Sequence, residues 1–259
     1  LADLHVGEGC NSSAANYEQN DTDCYSVQDL RATVAKINMV VGNASLVLVG
    51  GDLTATAQRT EFLAARHWLG ALRSPYLATI GNHDVWSYDH VTGDRTPTPQ
   101  GDLLFADLFQ DVFADAGRAL GSLTYPNTTA TASFHGQSWE FRPSLERFGH
   151  GLHSLRFLAP DFNTREKAIP PYDGVLGMAA LNNFSGGSWP WFLEAIHNNA
   201  QAHGAHANAA VDDANADMVQ ATFLLTHQPF RCRFGVPDWY FCFAKRMKAA
   251  FRGAVESAP

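Results

Sequence analysis

Residues 76–84 read YLATIGNHD, an apolar run that ends in the polar stretch Gly81-Asn82-His83-Asp84. The apolar part is typical of a short buried strand, because it is continuous and is bounded by turn-forming residues. The polar part places an amide, an imidazole and a carboxylate side by side, where they would contribute little to packing. In parallel α/β sheets the ligand site lies beyond the carboxyl ends of the strands. The stretch therefore predicts a strand that delivers functional groups to a site.

A second buried strand of this kind is predicted at residues 45–52, SLVLVGGD, which end in Asp52. A helix is predicted before each strand. The first begins at Ser26 with a capping-box pattern and ends at Gly42, and the second covers residues 60–72. The apolar residues of the first helix recur at helical spacing: Val27, Leu30, Val34, Ile37 and Val41. Helices that alternate with strands predict a mostly parallel sheet.

The rest of the chain is less regular. A helix is predicted over residues 102–119, broken strands between 123 and 157, a helix opened by residues 188–190, and a strand over 221–227, ATFLLTH. Three segments rich in small and polar residues are interpreted as loop insertions: 87–101, 160–188 and 201–217. We interpret residues 1–259 as a single domain, since its length and 46% hydrophobic content suffice for one large core.

Net charge, glycosylation triplets and cysteines indicate which binding partners and which cellular compartment suit this protein. The net charge of −8 argues against non-specific binding of nucleic acids, and no apolar run approaches the ~20 residues that cross a bilayer. Five Asn-x-Ser/Thr triplets predict N-glycans at Asn11, Asn20, Asn43, Asn127 and Asn183. Cys10, Cys24, Cys232 and Cys242 suit two disulfides, although the sequence leaves three pairings open and four buried thiols are the alternative. Together these features predict a secreted or lumenal protein.

Polar side chains follow four of the predicted strands. The first strand carries Asp3 and His5, and the others end in Asp52, in Asn82 and His83, and in His227. We expect these groups at one edge of one sheet, with Asp3 and His5 on the same side of an extended backbone. Carboxylate, imidazole and amide ligands without thiolate suit Zn, Fe or Mn, and an aspartate such as Asp52 can bridge two ions. The pattern therefore indicates a metal centre.

The four motifs "DLH", "GGD", "GNHD" and "LLTH" resemble, in order, the signature of the calcineurin-like metallophosphoesterase superfamily. The resemblance covers residues 2–227. It implies a four-layer α/β/β/α sandwich that holds two metal ions. It also implies hydrolysis of a small phosphomonoester or phosphodiester substrate, such as a nucleotide or a lipid head group.

The resemblance also implies a role for each matched residue. Asp3 and His5 would bind the first metal ion, and Asp52 would bridge both ions. Asn82 and His227 would bind the second ion, and Asn82 would also contact the phosphate. The nucleophile would be a metal-bound hydroxide, formed because the cations lower the pKa of water from ~16 toward ~7.

The residues His83 and Asp84 would complete the catalytic machinery. The resemblance implies that His83 is not a ligand but protonates the leaving oxygen of the ester. Asp84 would orient the His83 ring and stabilise its charge.

The last motif of the superfamily, Gly-His-x-His, is absent from this sequence. The look-alikes at 149–153, GHGLH, and 203–206, HGAH, lack its spacing and precede His227. We therefore expect a fragment that is incomplete at both ends of the fold. The alternatives are a degenerate, non-catalytic binding module with the same fold and a site that holds one ion. Residues 53–55, LTA, also lack the tyrosine that purple acid phosphatases carry three positions after the bridging aspartate.

Overall fold

A computed structural model of the chain describes eight segments and four isolated positions. These are residues 1–8, 24–41, 45–85, 101–125, 138–144, 155–163, 191–196 and 221–227, and positions 249, 252, 253 and 256. The helices are α1 Tyr25–Val40, α2 Arg59–Leu69, α3 Asn82–Val85 and α4 Gly101–Leu120, and residues 191–196 are also helical. The strands are β1 Val47–Val49, β2 Tyr76–Ala78, β3 Gly121–Thr124, β4 Trp139–Pro143, β5 Leu155–Ala159 and β6 Ala221–Leu224.

Helix α1 confirms the predicted apolar stripe but not the predicted cap. Val27, Leu30 and Val34 are buried, whereas Val41 is 55% exposed. The helix begins one residue before Ser26, and Cys24 occupies the capping position without a side-chain hydrogen bond. The Ser26 hydroxyl instead accepts a hydrogen bond from the backbone N–H of Gly7 at 3.3 Å. The capping-box prediction was therefore wrong, because this hydroxyl has a tertiary partner outside the helix.

The first sheet confirms the parallel arrangement of the two buried strands. β1 and β2 pair in parallel, from Val47 opposite Tyr76 to Val49 opposite Ala78. The N-terminal segment, residues 1–8, lies along the other side of β1. Its backbone forms hydrogen bonds with that strand and with the residues beyond it. The N-terminal amine donates to the carbonyl of Leu48, the N–H of Val6 donates to the carbonyl of Leu53, and the carbonyl of Val6 accepts the N–H of Ala55. β1 is therefore flanked on both sides, and residues 50–52 extend from its carboxyl end.

The second sheet overturns the expectation of one mostly parallel sheet. Its strand order is β3-β4-β5-β6, with β3 and β5 antiparallel to β4 and β6 parallel to β5. β3, β4 and β5 follow one another along the chain as antiparallel neighbours. Two parallel neighbours need a crossover connection of about a dozen residues or more, and the segment 160–220 between β5 and β6 has enough residues for one. The fold is thus mixed α/β, with a parallel pair and a separate mixed sheet.

Two buried side chains join the second sheet to the end of β2. The Trp139 Nε1–H donates to the carbonyl of Ala78 at 2.9 Å, and Asn163 Nδ2 donates to the carbonyl of Ile80 at 3.0 Å. The Trp139 ring also packs edge-on against Phe113 of α4 in the hydrophobic core. These contacts hold β5 and its neighbour β6 beside the residues that follow β2.

Several predictions lie wholly or partly outside the described residues. The helix predicted at 102–119 is confirmed as α4, and residues 191–196 are helical as expected after residues 188–190. Of the three predicted insertions only Gly101, the first residue of α4, and residues 160–163 are described. The five predicted glycosylation sites and the histidines of the motifs at 149–153 and 203–206 lie outside the described residues. Cys24 is disulfide-bonded. Within the described segments, no helix is long and apolar enough to cross a membrane.

Candidate metal centre

The predicted ligands come together, but they come from two sheets rather than from one edge of one sheet. Asp52 follows β1 and Asn82 follows β2 of the first sheet, while His227 follows β6 of the second. His227 Nε2 lies 2.9 Å from Asn82 Oδ1 and 3.2 Å from Asp52 Oδ2. The site therefore forms where the carboxyl ends of β1, β2 and β6 meet, and the packing between the sheets decides its geometry.

The backbone at three of the predicted ligands is left-handed rather than extended. Asp3, His5 and Asp52 have φ angles of 52°, 43° and 48°, in the left-handed region that few residues other than glycine adopt. The prediction that Asp3 and His5 share one side of an extended strand was therefore wrong. Such backbone conformations each cost about 1–3 kcal/mol and cluster at functional sites. They aim these side chains in directions that a regular strand does not permit.

Asp52 stands at the centre of the site. Its Oδ2 lies 3.4 Å from His5 Nε2 and 3.2 Å from His227 Nε2, and its Oδ1 accepts the backbone N–H of His83 at 2.9 Å. A Cβ at Gly81 would overlap the Asp52 carboxylate, so only glycine allows the residues after β2 to approach so closely. Burial would raise the pKa of Asp52, but hydrogen bonds from His227 and His5 hold it well below its usual range. Asp52 is thus an anion between two imidazoles.

Both ring nitrogens of His227 face oxygen atoms. Nδ1 lies 3.0 Å from the carbonyl of Gly50, and Nε2 faces the oxygens of Asn82 and Asp52. Burial lowers the pKa of His227, but the hydrogen bond and charge of Asp52 and the Gly50 carbonyl outweigh it and raise the pKa to about 9. The ring therefore carries two protons at neutral pH. A metal cation would replace the proton on Nε2 and satisfy the same oxygens.

The potential ligands form two groups that share Asp52. His5, Asp52 and His83 make up one group, and Asp3, Asp52 and His227 make up the other, each with ligand atoms within 4.8 Å of one another. Asp3 and His5 fall in different groups, and His83 shares a group with His5. The donor set of carboxylate and imidazole, with the Asn82 amide beside His227, fits Zn, Fe or Mn.

The ring of His83 has a different partner from the one expected. Its Nδ1 lies 2.8 Å from the carbonyl oxygen of Ala55, and its ring meets that of His5 edge-on at 4.5 Å. A carbonyl can only accept, so Nδ1 donates this hydrogen bond and carries a proton. Burial lowers the pKa of His83, and the nearby Asp52 charge and Ala55 carbonyl oppose this effect.

The Asp84 carboxylate accepts hydrogen bonds from residues that follow β1 and β2. It is completely buried and accepts the backbone N–H groups of Leu53, Thr54 and Gly81 at 2.8–3.1 Å, together with the Thr54 hydroxyl at 2.9 Å. Burial and the charge of Asp52 raise the pKa of Asp84 to about 6, against the effect of these N–H donors. The Asp84 side chain therefore links the residues that follow β1 to those that follow β2 through hydrogen bonds.

Sequence reasoning missed a second buried acid, Glu61, in the first turn of α2. It is 0% exposed and accepts the backbone N–H groups of Thr56 at 2.8 Å and Gln58 at 3.3 Å, and the Thr56 hydroxyl at 2.9 Å. Burial raises the pKa of Glu61 to about 7 despite these donors. The available signal was the spacing of Gln58 and Glu61, which form a capping box at the start of this helix.

The raised pKa of Glu61 predicts that Glu61→Gln changes how stability depends on pH. The unfolded chain loses the Glu61 proton near pH 4.5 and the native protein only near pH 7, so this residue lowers native stability as pH rises across that interval. A glutamine satisfies the same donors without titrating. We expect the variant to gain about 3 kcal/mol relative to the wild type between pH 4.5 and 8, measured by urea unfolding.

Glu140→Gln is the matched control. Burial alone would raise the pKa of Glu140, but hydrogen bonds from Arg156 and Arg142 hold it below its usual range. Glu140→Gln should therefore lose stability relative to the wild type as pH rises, whereas Glu61→Gln should gain it. Parallel pH profiles for the wild type and Glu61→Gln would contradict the prediction.

No family model matches this chain, and the comparison with curated proteins found no match. The geometry of the site, together with the motifs in the sequence, therefore carries the functional interpretation.

Proposed function

We propose that the chain contributes the catalytic centre of a metal-dependent phosphoesterase that hydrolyses a small phosphomonoester or phosphodiester. The observation that carries the proposal is the convergence of Asp52, His5 and His227 within hydrogen-bonding reach, at the junction of two sheets. A buried ion pair such as Asp52 with the protonated His227 is costly to desolvate and is weak evidence for a purely stabilising role, so the arrangement favours a functional one. The strained backbone at Asp52 and His5 supports the same interpretation.

The chain's own residues would bind and orient the reactants. Asp52 would serve two ions, because it belongs to both ligand groups, while His5 and Asp3 serve one each. Bound cations would neutralise phosphate charge and activate a water molecule as nucleophile. His227 would give up its Nε2 proton on loading, and Asn82 beside it would contact the ion and a phosphate oxygen.

His83 would act on the leaving group. Since Nδ1 donates to the Ala55 carbonyl, the doubly protonated ring would give its Nε2 proton to the ester oxygen as the P–O bond breaks, and the neutral ring would remain with its proton on Nδ1. Its place beside His5 and Asp52 puts this nitrogen at the edge of the ligand cluster. The products would be the free alcohol and the phosphate or phosphomonoester.

The finer fold and the compartment belong to the same proposal. A parallel pair and a mixed sheet, with α1, α2 and α4 beside the former, are consistent with a four-layer α/β/β/α sandwich. The disulfide at Cys24 supports a secreted or lumenal protein, because disulfides persist in oxidising compartments.

Removal of metal should abolish hydrolysis. We expect the chelated protein to hydrolyse 4-nitrophenyl phosphate and its bis ester at the uncatalysed rate, and Zn, Mn or Fe to restore turnover. The cations are needed because they lower the pKa of bound water, so that hydroxide forms near neutral pH. The measurement is a substrate panel with metal reconstitution on the full chain, with elemental analysis of each sample.

The outcomes separate the alternatives. Two ions per chain with turnover support the phosphoesterase, and one ion per chain supports the single-ion site. Ions bound without turnover of any ester favour the non-catalytic binding module. Undiminished activity after chelation would contradict the proposal outright.

A further inference from the structure

We propose that Glu61 is a positioning residue for His83 and acts through the peptide group between Ala55 and Thr56. The inference rests on the proposed function only for the role of His83 as the proton donor. The link itself is a matter of geometry. It assigns a task to a buried acid that the metal centre does not otherwise use.

One peptide group connects the two side chains. Its carbonyl oxygen, on Ala55, accepts the Nδ1–H of His83 at 2.8 Å. Its N–H, on Thr56, donates to Oε2 of Glu61 at 2.8 Å. Because the peptide group is planar, an acceptor that fixes the direction of the N–H also fixes the direction of the carbonyl on the opposite side. Glu61 therefore determines where the His83 ring finds its acceptor.

The surroundings leave Glu61 little freedom to move. Its other oxygen, Oε1, accepts the Thr56 hydroxyl at 2.9 Å, and Oε2 also accepts the N–H of Gln58 at 3.3 Å. Gly7 closes one side, where a Cβ would overlap the carboxylate. Glu61 and Thr56 are both 0% exposed. The carboxylate is thus held rigidly, and it can impose its geometry on the peptide group.

The hydrogen bonds are aligned so that each strengthens the next. An acceptor oxygen at the Thr56 N–H polarises the peptide group, which makes the Ala55 carbonyl a better acceptor for the His83 Nδ1–H. A strong acceptor at Nδ1 keeps the proton there and leaves Nε2 directed at the reacting ester. This is the supporting task that the sequence resemblance implied for Asp84, whose carboxylate is engaged by backbone groups instead.

The decisive test compares Glu61→Asp with Glu61→Gln. Aspartate keeps the charge but is about 1.5 Å shorter, so it cannot reach the Thr56 N–H. Glutamine keeps the reach, and its amide satisfies both N–H groups and the Thr56 hydroxyl. Positioning therefore predicts that the neutral variant is nearly normal and the charged one is defective.

Two esters distinguish proton donation from general damage. A nitrophenolate leaves without a proton, whereas the alkoxide of an alkyl phosphate needs one. We expect Glu61→Asp to lower kcat about tenfold for the alkyl ester and less than about twofold for 4-nitrophenyl phosphate, with KM unchanged. Glu61→Gln should stay within about twofold of the wild type on both. Glu140→Asp, which shortens a partly buried carboxylate in the second sheet, is the matched control and should leave the ratio of the two rates unchanged.

A second readout needs neither metal nor turnover. In the metal-free, ¹⁵N-histidine-labelled chain, the Nδ1–H resonance of His83 should persist in the wild type and in Glu61→Gln. It should be lost to solvent exchange in Glu61→Asp. His83→Ala assigns the signal.

The results that would overturn the inference are specific. Equal losses on both esters in Glu61→Asp, a defect in Glu61→Gln as large as that in Glu61→Asp, or an unchanged His83 resonance in Glu61→Asp would each do so. A wild-type chain that turns over no ester with any ion would refute the proposed function alone. The resonance would still decide the link between Glu61 and His83.

Discussion

Asp52→Asn is expected to lower kcat/KM for every phosphate ester by more than about 100-fold and to weaken cation binding in parallel. Loss of a partner that merely orients a metal ligand costs about 10- to 100-fold, and Asp52 is expected to be a direct ligand. It is the one residue common to both groups of potential ligands among the described residues. A single substitution at this position therefore affects both ions.

The substitution is also geometrically conservative, which makes the result interpretable. The asparagine oxygen can still accept the His83 N–H, as Oδ1 of Asp52 does at 2.9 Å. Its amide nitrogen, however, would face the Nε2 atoms of His5 and His227 in place of Oδ2. The pKa of His227, which the Asp52 anion helps to raise to about 9, should fall. Asp52→Asn therefore removes the negative charge at the centre of the site and leaves the shape of the side chain almost unchanged.

Calorimetric titration with Zn²⁺ or Mn²⁺ and hydrolysis assays on the full chain provide the measurement. Asp107→Asn is the matched control, because its carboxylate is 62% exposed and pairs with Arg59 on the outer surface. It should bind cations and turn over esters as the wild type does. Cation affinity in Asp52→Asn equal to that of the wild type would remove the basis for the proposed centre.

Asp84→Ala is expected to destabilise the protein by about 3–5 kcal/mol, which is a large fraction of the stability of an ordinary domain. The substitution leaves the N–H groups of Leu53, Thr54 and Gly81 buried without their acceptor. Each buried donor left unsatisfied costs about 1–3 kcal/mol. Asp84→Asn should also be harmful, because its amide nitrogen would face the N–H groups of Leu53 and Gly81 in one orientation and that of Thr54 in the other.

Urea unfolding of both variants measures the effect, with Asp107→Ala as the exposed control that should shift stability by less than about 1 kcal/mol. The residues that follow β1 and β2 carry Asp52 and Asn82, so the variants should also bind cations more weakly. A stable Asp84→Ala protein with normal cation affinity and a selective loss of turnover would contradict the structural role. It would favour the catalytic role that the resemblance implies.

The elements of the fold that depend on local pattern were predictable from the sequence. Helix α4 and strands β1, β2 and β6 follow from apolar periodicity and from the turn residues around them. The cap of α1 was not predictable, because the Ser26 hydroxyl is engaged by Gly7, which lies 19 positions earlier in the chain. Similarly, the mixed order of the second sheet depends on pairing between segments far apart in sequence.

The identity of the potential ligands came from the sequence alone, since polar residues that follow apolar strands are visible without coordinates. The division of these residues into two groups could not be predicted from the sequence. Asp3 and His5 fall in different groups, and both have left-handed backbone, which no side-chain pattern encodes. The support of His83 by the Ala55 carbonyl was equally hidden, because a backbone group carries no sequence signal.

The sequence by itself determined the residue types and their places after the strands, and these suffice to suggest a metal centre. Only the tertiary structure decided that these side chains meet between two sheets. It also decided that Asp84 accepts hydrogen bonds from distant backbone groups, and that one peptide group connects Glu61 to His83. The physical reason is that side-chain periodicity reports which face of an element is buried. It does not report which distant backbone groups meet across the core.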